Sequence, residues 1–484
     1  MEASDELIQQ RLTKLKNLRK SGRDPYAPSY DRSALIGEVL ATFSPGGKAK
    51  VSGRLMAWRE HGKSIFGDLR DATGSIQLFF SKDRLPDSFE ALSMLDMGDI
   101  VGVSGELFKT RTGERTLKVD DWQMISKCVR PLPEKWHGLK NVELRYRQRY
   151  LDFMFSPETR KVFETRSQLI SGIRRFLEKR NFVEVETPMM QSVPGGAVAK
   201  PFKTHHAALK RDLFLRIAPE LYLKMLLVAG MDRVFELNRN FRNEGISTRH
   251  NPEFTMLEVY QAYSDVQGMR LLTEELISQL VKELYKKDEI TFQEKKISFK
   301  QPWKQAGFFE LLKKETGADC QKEATARAQA KKAGLASGKE VALPHVWDKL
   351  FEKTVQPKLV APTFVLDYPI ELCPLSKANP KDPKLADRFE LFVAGVEIAN
   401  AYSELNDAEE QRKRFKEQVK KRPKGKDQEF FADDDFVKAL EYGMPPAGGL
   451  GIGIDRLVML LTDSASIREV ILFPMLRAET EDGS

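Results

Sequence analysis

The sequence lacks the features that would mark it for a membrane or for export. No apolar run approaches the roughly 18 consecutive residues that a bilayer-spanning helix needs. The first twenty residues, MEASDELIQQRLTKLKNLRK, contain no apolar signal core. We therefore expect no membrane association and a cytoplasmic location.

Cysteine is also scarce. The three cysteines, Cys128, Cys320 and Cys373, lie far apart in the chain and have no metal-ligand spacing. This excludes a disulfide framework and a zinc site of the usual pattern, and it fits a reducing compartment.

The composition is that of a globular protein with room for two or three domains. The chain has 484 residues, of which 41% are hydrophobic and 31% charged. The formal net charge of +8 favours a polyanionic partner but does not require one.

The most informative stretch is FRNEGISTRHNPEFTMLE, residues 241–258. Gly245 and Pro252 interrupt it, so it is not one helix. Apolar residues before and after predict two antiparallel strands joined by a polar loop at 243–252. Such a loop between buried strands is a usual place for a binding site, although a solvated hairpin with self-paired charges would look similar.

The N-terminal part alternates short strands with turns. Residues 50–127 read as about five strands, which suits a small closed barrel of the OB type. Residues 5–20 predict a helix with basic side chains, either facing an RNA backbone or simply solvated.

A second glycine-rich stretch, GGLGIGIDRLVMLL, covers residues 448–461. A dinucleotide-binding fingerprint is excluded because Arg456 stands at the third glycine position, and the stretch lacks a Walker A ending. The glycines would let the backbone approach a flat base, and Arg456 would lie at a helix N-terminus facing a phosphate. The alternative is a tight strand–helix turn with Arg456 in an ion pair.

These stretches carry a family resemblance. Residues 241–254 resemble motif 2 of class II aminoacyl-tRNA synthetases, in the form of the lysine-specific branch, the lysyl-tRNA synthetases. Residues 448–461 resemble motif 3 of the same class. FVEVETPMM, residues 182–190, resembles motif 1, which builds the family's dimer interface, although an ordinary edge strand before a proline explains that pattern equally well.

The resemblance implies an α+β fold in two parts. These are an N-terminal OB-fold β-barrel for anticodon binding, with its preceding helix (residues 1–130), and a class II catalytic domain of antiparallel sheet flanked by helices (161–478). A connector at 131–160 is rich in arginines that either contact tRNA or join the domains. Residues 288–345 resemble the family's variable insertion and receive no chemistry.

The implied reaction joins two anions, the lysine carboxylate and the α-phosphate of ATP. The protein must therefore supply positive charge and positioning rather than a nucleophile. Arg242 and Arg456 are the predicted catalytic residues. The residues expected to bind ATP are Arg242, Glu244, His250, Asn251, Phe254, Glu390 and Arg456.

Magnesium is the expected cofactor, about two to three ions accompanying ATP. Glu390 and Glu397 lie seven residues apart and match the family's acidic strands. Seven is odd, so on one straight strand they would face opposite sides. A turn at Ala394-Gly395 would place both on adjacent strands facing one site.

The predicted lysine pocket is acidic and neutral, with no spare cation, which suits a side-chain ammonium and not a carboxylate. Ala399 and Ala401 replace glycines common in the family and are expected to tighten it. Without the resemblance, Glu404 in SELND would be interpreted as exposed. The implied lysine-binding residues are Gly196, Glu220, Glu258, Tyr260, Asn400, Tyr402 and Glu404.

In the barrel, the resemblance implies that Phe66 stacks on an anticodon base while Gln77 and Glu114 bind base edges, with Arg59 as a nearby cation. From its pattern alone Phe66 would be a core residue. The implied partners are tRNA(Lys), L-lysine, ATP and a second copy of the chain in a homodimer.

Three other functions compete with lysine–tRNA charging. One is lysylation of a protein, whose enzymes usually lack the barrel. Another is a non-catalytic RNA-binding protein, which the intact arginines and glutamates disfavour. The third is aspartyl or asparaginyl specificity, which the acidic pocket disfavours.

Overall fold

The computed structural model describes residues 2–133, 141–197, 199–420 and 433–478. The chain divides into two compact units, residues 1–138 and 139–484. The boundary falls inside the predicted connector. No helix among the described residues combines the length and apolarity that crossing a bilayer requires.

The first unit is a closed five-stranded barrel with strand order β1-β2-β3-β5-β4, which confirms the predicted OB-type barrel. Its elements are α1 (Glu2–Lys20), α2 (Ile36–Ala41), β1 (Lys48–His61), β2 (Ser64–Arg70), β3 (Ser75–Ser81), a short 3₁₀ turn (Glu90–Met94), β4 (Ile100–Lys109) and β5 (Arg115–Ser126).

Side chains along β2 alternate between the barrel core and its outer face. Ile65 and Leu69 point into the buried core, whereas Phe66 is only partly buried and lies on the other face. Helix α1 packs through Leu15 and Leu18. Its Arg11 is buried and donates to backbone carbonyls of the same unit, so part of the basic face serves packing.

The second unit is built on an eight-stranded, mostly antiparallel sheet of order β14-β15-β16-β17-β18-β11-β10-β6, flanked by helices. Its first elements are α3 (Val142–Arg147), α4 (Arg149–Phe155), α5 (Pro157–Glu178), β6 (Val183–Glu184), β7 (Met190–Gln191), β8 (Lys203–His206), β9 (Arg211–Leu215), α6 (Glu220–Val228), β10 (Arg233–Phe241), β11 (Glu253–Ala262), α7 (Val266–Tyr285), β12 (Glu289–Phe292) and β13 (Lys295–Ser298).

The remaining elements complete the sheet and its cover. They are β14 (Lys304–Gly307), α8 (Phe308–Thr316), α9 (Glu323–Lys332), α10 (Leu343–Thr354), β15 (Thr363–Leu366), β16 (Arg388–Val393), β17 (Val396–Ser403), α11 (Ala408–Lys420), α12 (Asp434–Glu441), β18 (Ala447–Gly453), α13 (Ile454–Leu461) and α14 (Ile467–Val470).

The two faces of this sheet have different roles. Apolar side chains of α5, α7 and α13 pack on one face with Phe235, Leu257 and Val259. Because side chains alternate along a strand, Glu258 and Tyr260 of β11 point to the opposite face. That face carries the cavities described below.

One expectation needs correction. The predicted strand at 182–190 is reduced to β6 and β7, which lie in different sheets. Within the region of the predicted insertion at 288–345, strand β14 forms an edge of the catalytic sheet. The predicted connector at 131–160 contains helices α3 and α4, which belong to the second unit.

The connector arginines that the structure describes in this unit bind protein groups. Arg149 is buried and donates to the carbonyls of Arg468, Ile471 and Leu472. Arg145 pairs with Asp152. They therefore tie the helices α3 and α4 together and to the C-terminal segment. The basic run at 420–426 lies almost entirely outside the described residues.

Candidate functional sites

Two neighbouring cavities open on the polar face of the catalytic sheet. One of about 210 Å³ is lined by residues that include Gly196, Glu220, Glu258, Tyr260, Asn400 and Tyr402. The other, of about 130 Å³, is lined by Glu244, His250, Asn251, Phe254, Glu397 and Arg456 among others. We call them the amino-acid cavity and the nucleotide cavity. Arg242 lines both.

Arg242 lies where β10 ends and the loop begins. The predicted hairpin is confirmed, since β10 and β11 pair from Arg233↔Gln261 to Phe241↔Glu253. The Arg242 guanidinium lies 5.0 Å from the centre of the Phe254 ring, and its buried Nε has no acceptor among the described residues. Burial lowers the pKa of Arg242, yet an arginine stays charged at neutral pH. This cation is therefore placed to bind an anion.

The loop and β11 supply the walls of the nucleotide cavity. Phe254 presents its ring to the cavity, and Glu244 is exposed at its mouth. His250 Nδ1 lies 2.9 Å from Ser247 Oγ, while buried Asn251 donates to the Glu253 carbonyl at 2.6 Å. Asn251 Oδ1 has no donor among the described residues. A ring and several polar atoms here suit a purine base and its ribose.

Arg456 is the third residue of α13 and faces both the nucleotide cavity and the space beside Glu390. Its Nη1 is 3.0 Å from Glu397 Oε2, and its Nη2 is 3.4 Å from His250 Nε2. Burial alone would raise the pKa of Glu397, but the Arg456 cation outweighs it and the pKa is lowered. Arg456 thus forms the ion pair of the alternative interpretation and also lines the cavity, while its binding of a phosphate stays a prediction.

The predicted turn between the two glutamates is confirmed. Ala394 and Gly395 both have positive φ (53° and 74°) and form a two-residue turn between Val393 and Val396. Glu390 and Glu397 consequently line one cavity of about 230 Å³ together with Arg456.

Glu390 is already surrounded by donors. Tyr368 Oη donates to its Oε2 at 2.7 Å, and Arg388 pairs with its Oε1. Burial raises the pKa of Glu390, which Arg388 opposes. A carboxylate oxygen has two lone pairs, so these contacts leave room for a metal ion as a further partner.

In the amino-acid cavity, two buried residues of β11 face the space. Tyr260 Oη donates to Glu258 Oε2 at 3.2 Å. Burial, followed by the negative charge of Glu220, raises the pKa of Glu258 to about 8. A cation that enters the cavity lowers the pKa of such a carboxyl and stabilises its charged form.

Beside this cavity lies a buried cation that sequence reasoning missed, but it is paired and therefore not spare. Lys224 of α6 is fully buried, and its Nζ pairs with Glu220 Oε1 at 2.7 Å and with Glu404 Oε2. Glu404 is 0% exposed, so the interpretation of this residue as solvent-facing is excluded. Its Oε1 has no donor among the described residues.

Arg388 is the second cation that sequence reasoning missed. It lines the amino-acid cavity, lies 3.1 Å from Cys373 Sγ, and stacks over Tyr368 and Tyr402. Its guanidinium pairs with Glu390, so it is not free to bind a substrate carboxylate. Its position two residues before Glu390, on the same face of β16, was the available signal.

Glycines make space at two points. Gly196 has φ +84°, a conformation that disfavours side chains, and lines the amino-acid cavity. A Cβ on Gly449 would lie 1.9 Å from Glu404 Oε1, so only glycine admits that carboxylate.

Ala399 lines the nucleotide cavity and Ala401 is buried in the core, so the expected tightening of the lysine pocket by these alanines is wrong.

The barrel presents a separate aromatic surface. Phe66 and Phe79 lie with ring centres 5.0 Å apart, and Phe108 is 6.0 Å from Phe79. Phe66 is only partly buried and does not belong to the barrel core, so the interpretation as a core residue is wrong. Arg59 pairs with Asp68 at 3.0 Å. An aromatic row beside a cation is typical of single-stranded nucleic-acid recognition.

The other two predicted barrel residues differ in setting. Gln77 is partly buried, and its Oε1 accepts a hydrogen bond from Thr116 at 2.9 Å. Glu114 is exposed in the loop between β4 and β5. Gln77 thus has one oxygen engaged, whereas Glu114 is open to solvent.

Comparisons with known proteins agree with both regions. A family described as tRNA synthetases class II (D, K and N) matches residues 141–477, and one described as OB-fold nucleic acid binding domain matches residues 49–125. A lysine–tRNA ligase of Pelotomaculum thermopropionicum is 51% identical over 98% of this chain and 95% of its own length. The chain belongs to the class II lysine–tRNA ligases.

Other members of this family align over similar lengths. Lysine–tRNA ligases of Carboxydothermus hydrogenoformans and Bacillus subtilis are 50% and 45% identical, each over 98% of both chains. The domain family alone leaves aspartyl, lysyl and asparaginyl specificity open, and these full-length matches select the lysine branch. Lysine–tRNA ligases are ATP-dependent aminoacyl-tRNA ligases, so the chain is an enzyme of that kind.

Proposed function

We propose that the two cavities perform lysine activation, followed by transfer to tRNA(Lys). A carboxylate oxygen of lysine attacks the α-phosphorus of ATP, forming lysyl-adenylate and releasing pyrophosphate. The terminal ribose hydroxyl of tRNA then attacks the lysyl carbonyl, and AMP leaves. The observation that carries this proposal is that Arg242 lines both cavities.

Arg242 is the group that brings the two anions together. At the junction of the cavities its guanidinium can bind the lysine carboxylate and an α-phosphate oxygen, and it then stabilises the charge that builds on the phosphate. Phe254 would stack on adenine, with Glu244, His250 and Asn251 as polar neighbours. Arg456 would bind the terminal phosphates.

Glu390 and Glu397 fit magnesium by the chemistry of their oxygens, since both line the cavity that Arg456 also faces. Magnesium bound there would neutralise the polyphosphate and favour pyrophosphate as leaving group. Arg388 and Tyr368 hold the Glu390 carboxylate in place.

The lysine substrate fits the charges of the amino-acid cavity. Glu220 and Glu258, with Gly196 beside them, would hold the α-ammonium. Glu404 and Tyr260 would hold the ε-ammonium, because Glu404 Oε1 is a buried acceptor without a donor among the described residues. Asn400 and Tyr402 would form the side walls.

Three further parts of the proposal concern the protein's surroundings. The aromatic row with Phe66 supports anticodon binding. Exposed Val183, Met189 and Met190 in the motif 1 segment support a homodimer. Three free cysteines support a reducing, cytoplasmic location.

The test is amino-acid-dependent exchange of pyrophosphate into ATP, measured with each of the twenty amino acids and magnesium. Exchange with lysine alone is the expected result. Exchange with aspartate would refute the assignment of the acidic cavity, and no exchange would support a non-catalytic protein. Charging of tRNA(Lys) with and without its anticodon stem tests the barrel, and light scattering tests the dimer.

A further inference from the structure

A buried cation of the protein itself lies beside the amino-acid cavity, paired with the cavity residue Glu220. Lys224 follows Glu220 by one helical turn on α6, so both point the same way. Its side chain is 0% exposed and its Nζ bridges Glu220 Oε1 and Glu404 Oε2. The aromatic ring of Phe436 from α12 lies 6.0 Å from the ammonium.

The carboxyl groups in this arrangement outnumber the ammonium groups. Two buried carboxylates, Glu220 and Glu404, share a single ammonium. Glu404 is bound through Oε2 only, while Oε1 lies beside Gly449 and the edge of the Tyr260 ring. Uncompensated buried charge is costly, so the empty site favours arrival of one more cation.

Without Lys224 the same carboxylate would be hard to keep ionised. Burial and the charge of Glu220 raise the pKa of Glu404 to about 8 even with Lys224 in place, and Lys224 is the group that opposes this rise. A protonated Glu404 is neutral and gives a cationic side chain no advantage over an apolar one.

We propose that Lys224 is a positioning and specificity-determining residue, which fixes one oxygen of Glu404, leaves the other for the substrate ammonium and favours the ionised form of Glu404 when that ammonium binds. Recognition of the substrate lysine then depends on Lys224 of the protein. This inference rests on the proposed lysine subsite and adds to it the residue that sets its charge.

The groups that face Glu404 come from several elements. Helix α6 contributes Glu220 and Lys224, β11 contributes Glu258 and Tyr260, and Tyr402 is its neighbour on β17. The tyrosines stay neutral, because burial raises the pKa of Tyr260 and of Tyr402 well above the usual value. Glu258 titrates as well, so variants must be compared with the wild type and not interpreted from one profile.

The experiment compares Lys224→Gln, which keeps a hydrogen-bond donor but removes the charge, with Lys224→Arg, which keeps the charge. Pyrophosphate exchange gives KM and kcat for lysine and for norleucine, a lysine analogue without the amine, between about pH 6 and 8.5. The KM for ATP serves as the internal control.

Lys224→Gln is expected to raise the lysine KM about tenfold or more at pH 7. The pH of half-maximal 1/KM for lysine moves up by about one unit, and the preference for lysine over norleucine falls about tenfold. Lys224→Arg stays within about threefold of the wild type, and the KM for ATP is unchanged.

An unchanged pH profile and an unchanged lysine preference in Lys224→Gln would overturn the proposal, as would an equal loss of kcat with both amino acids. Should Lys224→Gln fail to fold, Lys224→Met/Glu404→Gln removes both charges together and avoids an unpaired buried carboxylate at Glu404. The double variant is compared with Glu404→Gln alone: an equal lysine preference in the two supports action of Lys224 through Glu404, and a further loss in the double variant contradicts it.

Glu404→Gln separates the two levels of inference. An unchanged lysine KM in Glu404→Gln would refute the lysine subsite itself. A raised lysine KM in Glu404→Gln, together with wild-type behaviour of Lys224→Gln, would refute only the role of Lys224.

Discussion

Arg242 lines both cavities, but the charged groups of the two cavities differ in burial and in pairing. In the amino-acid cavity the carboxylates are buried, and Lys224 partly neutralises them before any substrate arrives. In the nucleotide cavity the charged groups are partly exposed on a loop and at a helix start, where Arg456 and Glu397 pair. Under the proposed assignment, selectivity among amino acids depends on a buried charge pattern, whereas the triphosphate meets partly exposed groups.

The sharpest way to break this comparison is to remove Arg242, a cation that lines both cavities. Arg242→Ala is expected to lower the rate of lysine-dependent pyrophosphate exchange by about 10²–10³-fold, because a donor to the developing phosphate charge is lost. Arg242→Lys keeps the charge but not the two-pronged geometry and retains an intermediate rate. Exchange at the wild-type rate in Arg242→Ala would show that the cavities do not cooperate through this residue.

A second change affects only the amino-acid cavity. Glu258→Gln removes a buried carboxylate that would face the α-ammonium, and the lysine KM is expected to rise about 30-fold or more, since a truncated buried charge pair costs about 2–5 kcal/mol. The KM for ATP is expected to stay constant. Glu409→Gln on the exposed surface of α11 is the matched control, and equal behaviour of the two variants would argue against the assignment.

Much of this difference between cavities could be predicted from the sequence. The period of two in a strand places Glu258 and Tyr260 on one face, and the positive-φ turn at Ala394-Gly395 follows from a glycine between two strand-like runs. The OB-type barrel was predictable from the spacing of its turns. These inferences need only local geometry.

The internal cations could not be predicted in the same way. Lys224 is four residues after Glu220, so that contact is local, but its pairing with Glu404 joins a helix to a distant strand end. Strand β14, with the sequence KQAG, is too short to show alternation and exists because β15 pairs with it. Pro188 and the exposed side chains nearby likewise limit strand formation at 182–190, which alternation alone predicted.

A third change is confined to the nucleotide cavity. Phe254→Ala removes the aromatic face, and stacking of a base on such a face contributes about 1–3 kcal/mol, so the KM for ATP is expected to rise about tenfold or more. The lysine KM is expected to stay within about twofold, because Phe254 does not line the amino-acid cavity. Phe254→Tyr retains the ring and is the control. A rise confined to the lysine KM would reverse the assignment of the cavities.

The smallest expected effect concerns stability. Because burial raises the pKa of Glu258 to about 8 in the folded chain, the folded state binds this proton more tightly than the unfolded state. The resulting contribution to stability is complete below the unfolded pKa near 4.5 and is lost as pH rises through about 8.

Glu258→Gln has no titrating carboxyl at this position, so its stability does not fall in this way as pH rises. Without lysine, the variant is expected to have a higher free energy of unfolding than the wild type at pH 8.5, and to match it more closely near pH 5.5. Denaturant titrations at the two pH values measure this. Saturating lysine would reverse the order at pH 8.5, since ligand stabilises the form that binds it. A variant less stable than the wild type at pH 8.5 without lysine would mean that Glu258 is already compensated, and that the empty amino-acid cavity carries no strain for the substrate to relieve.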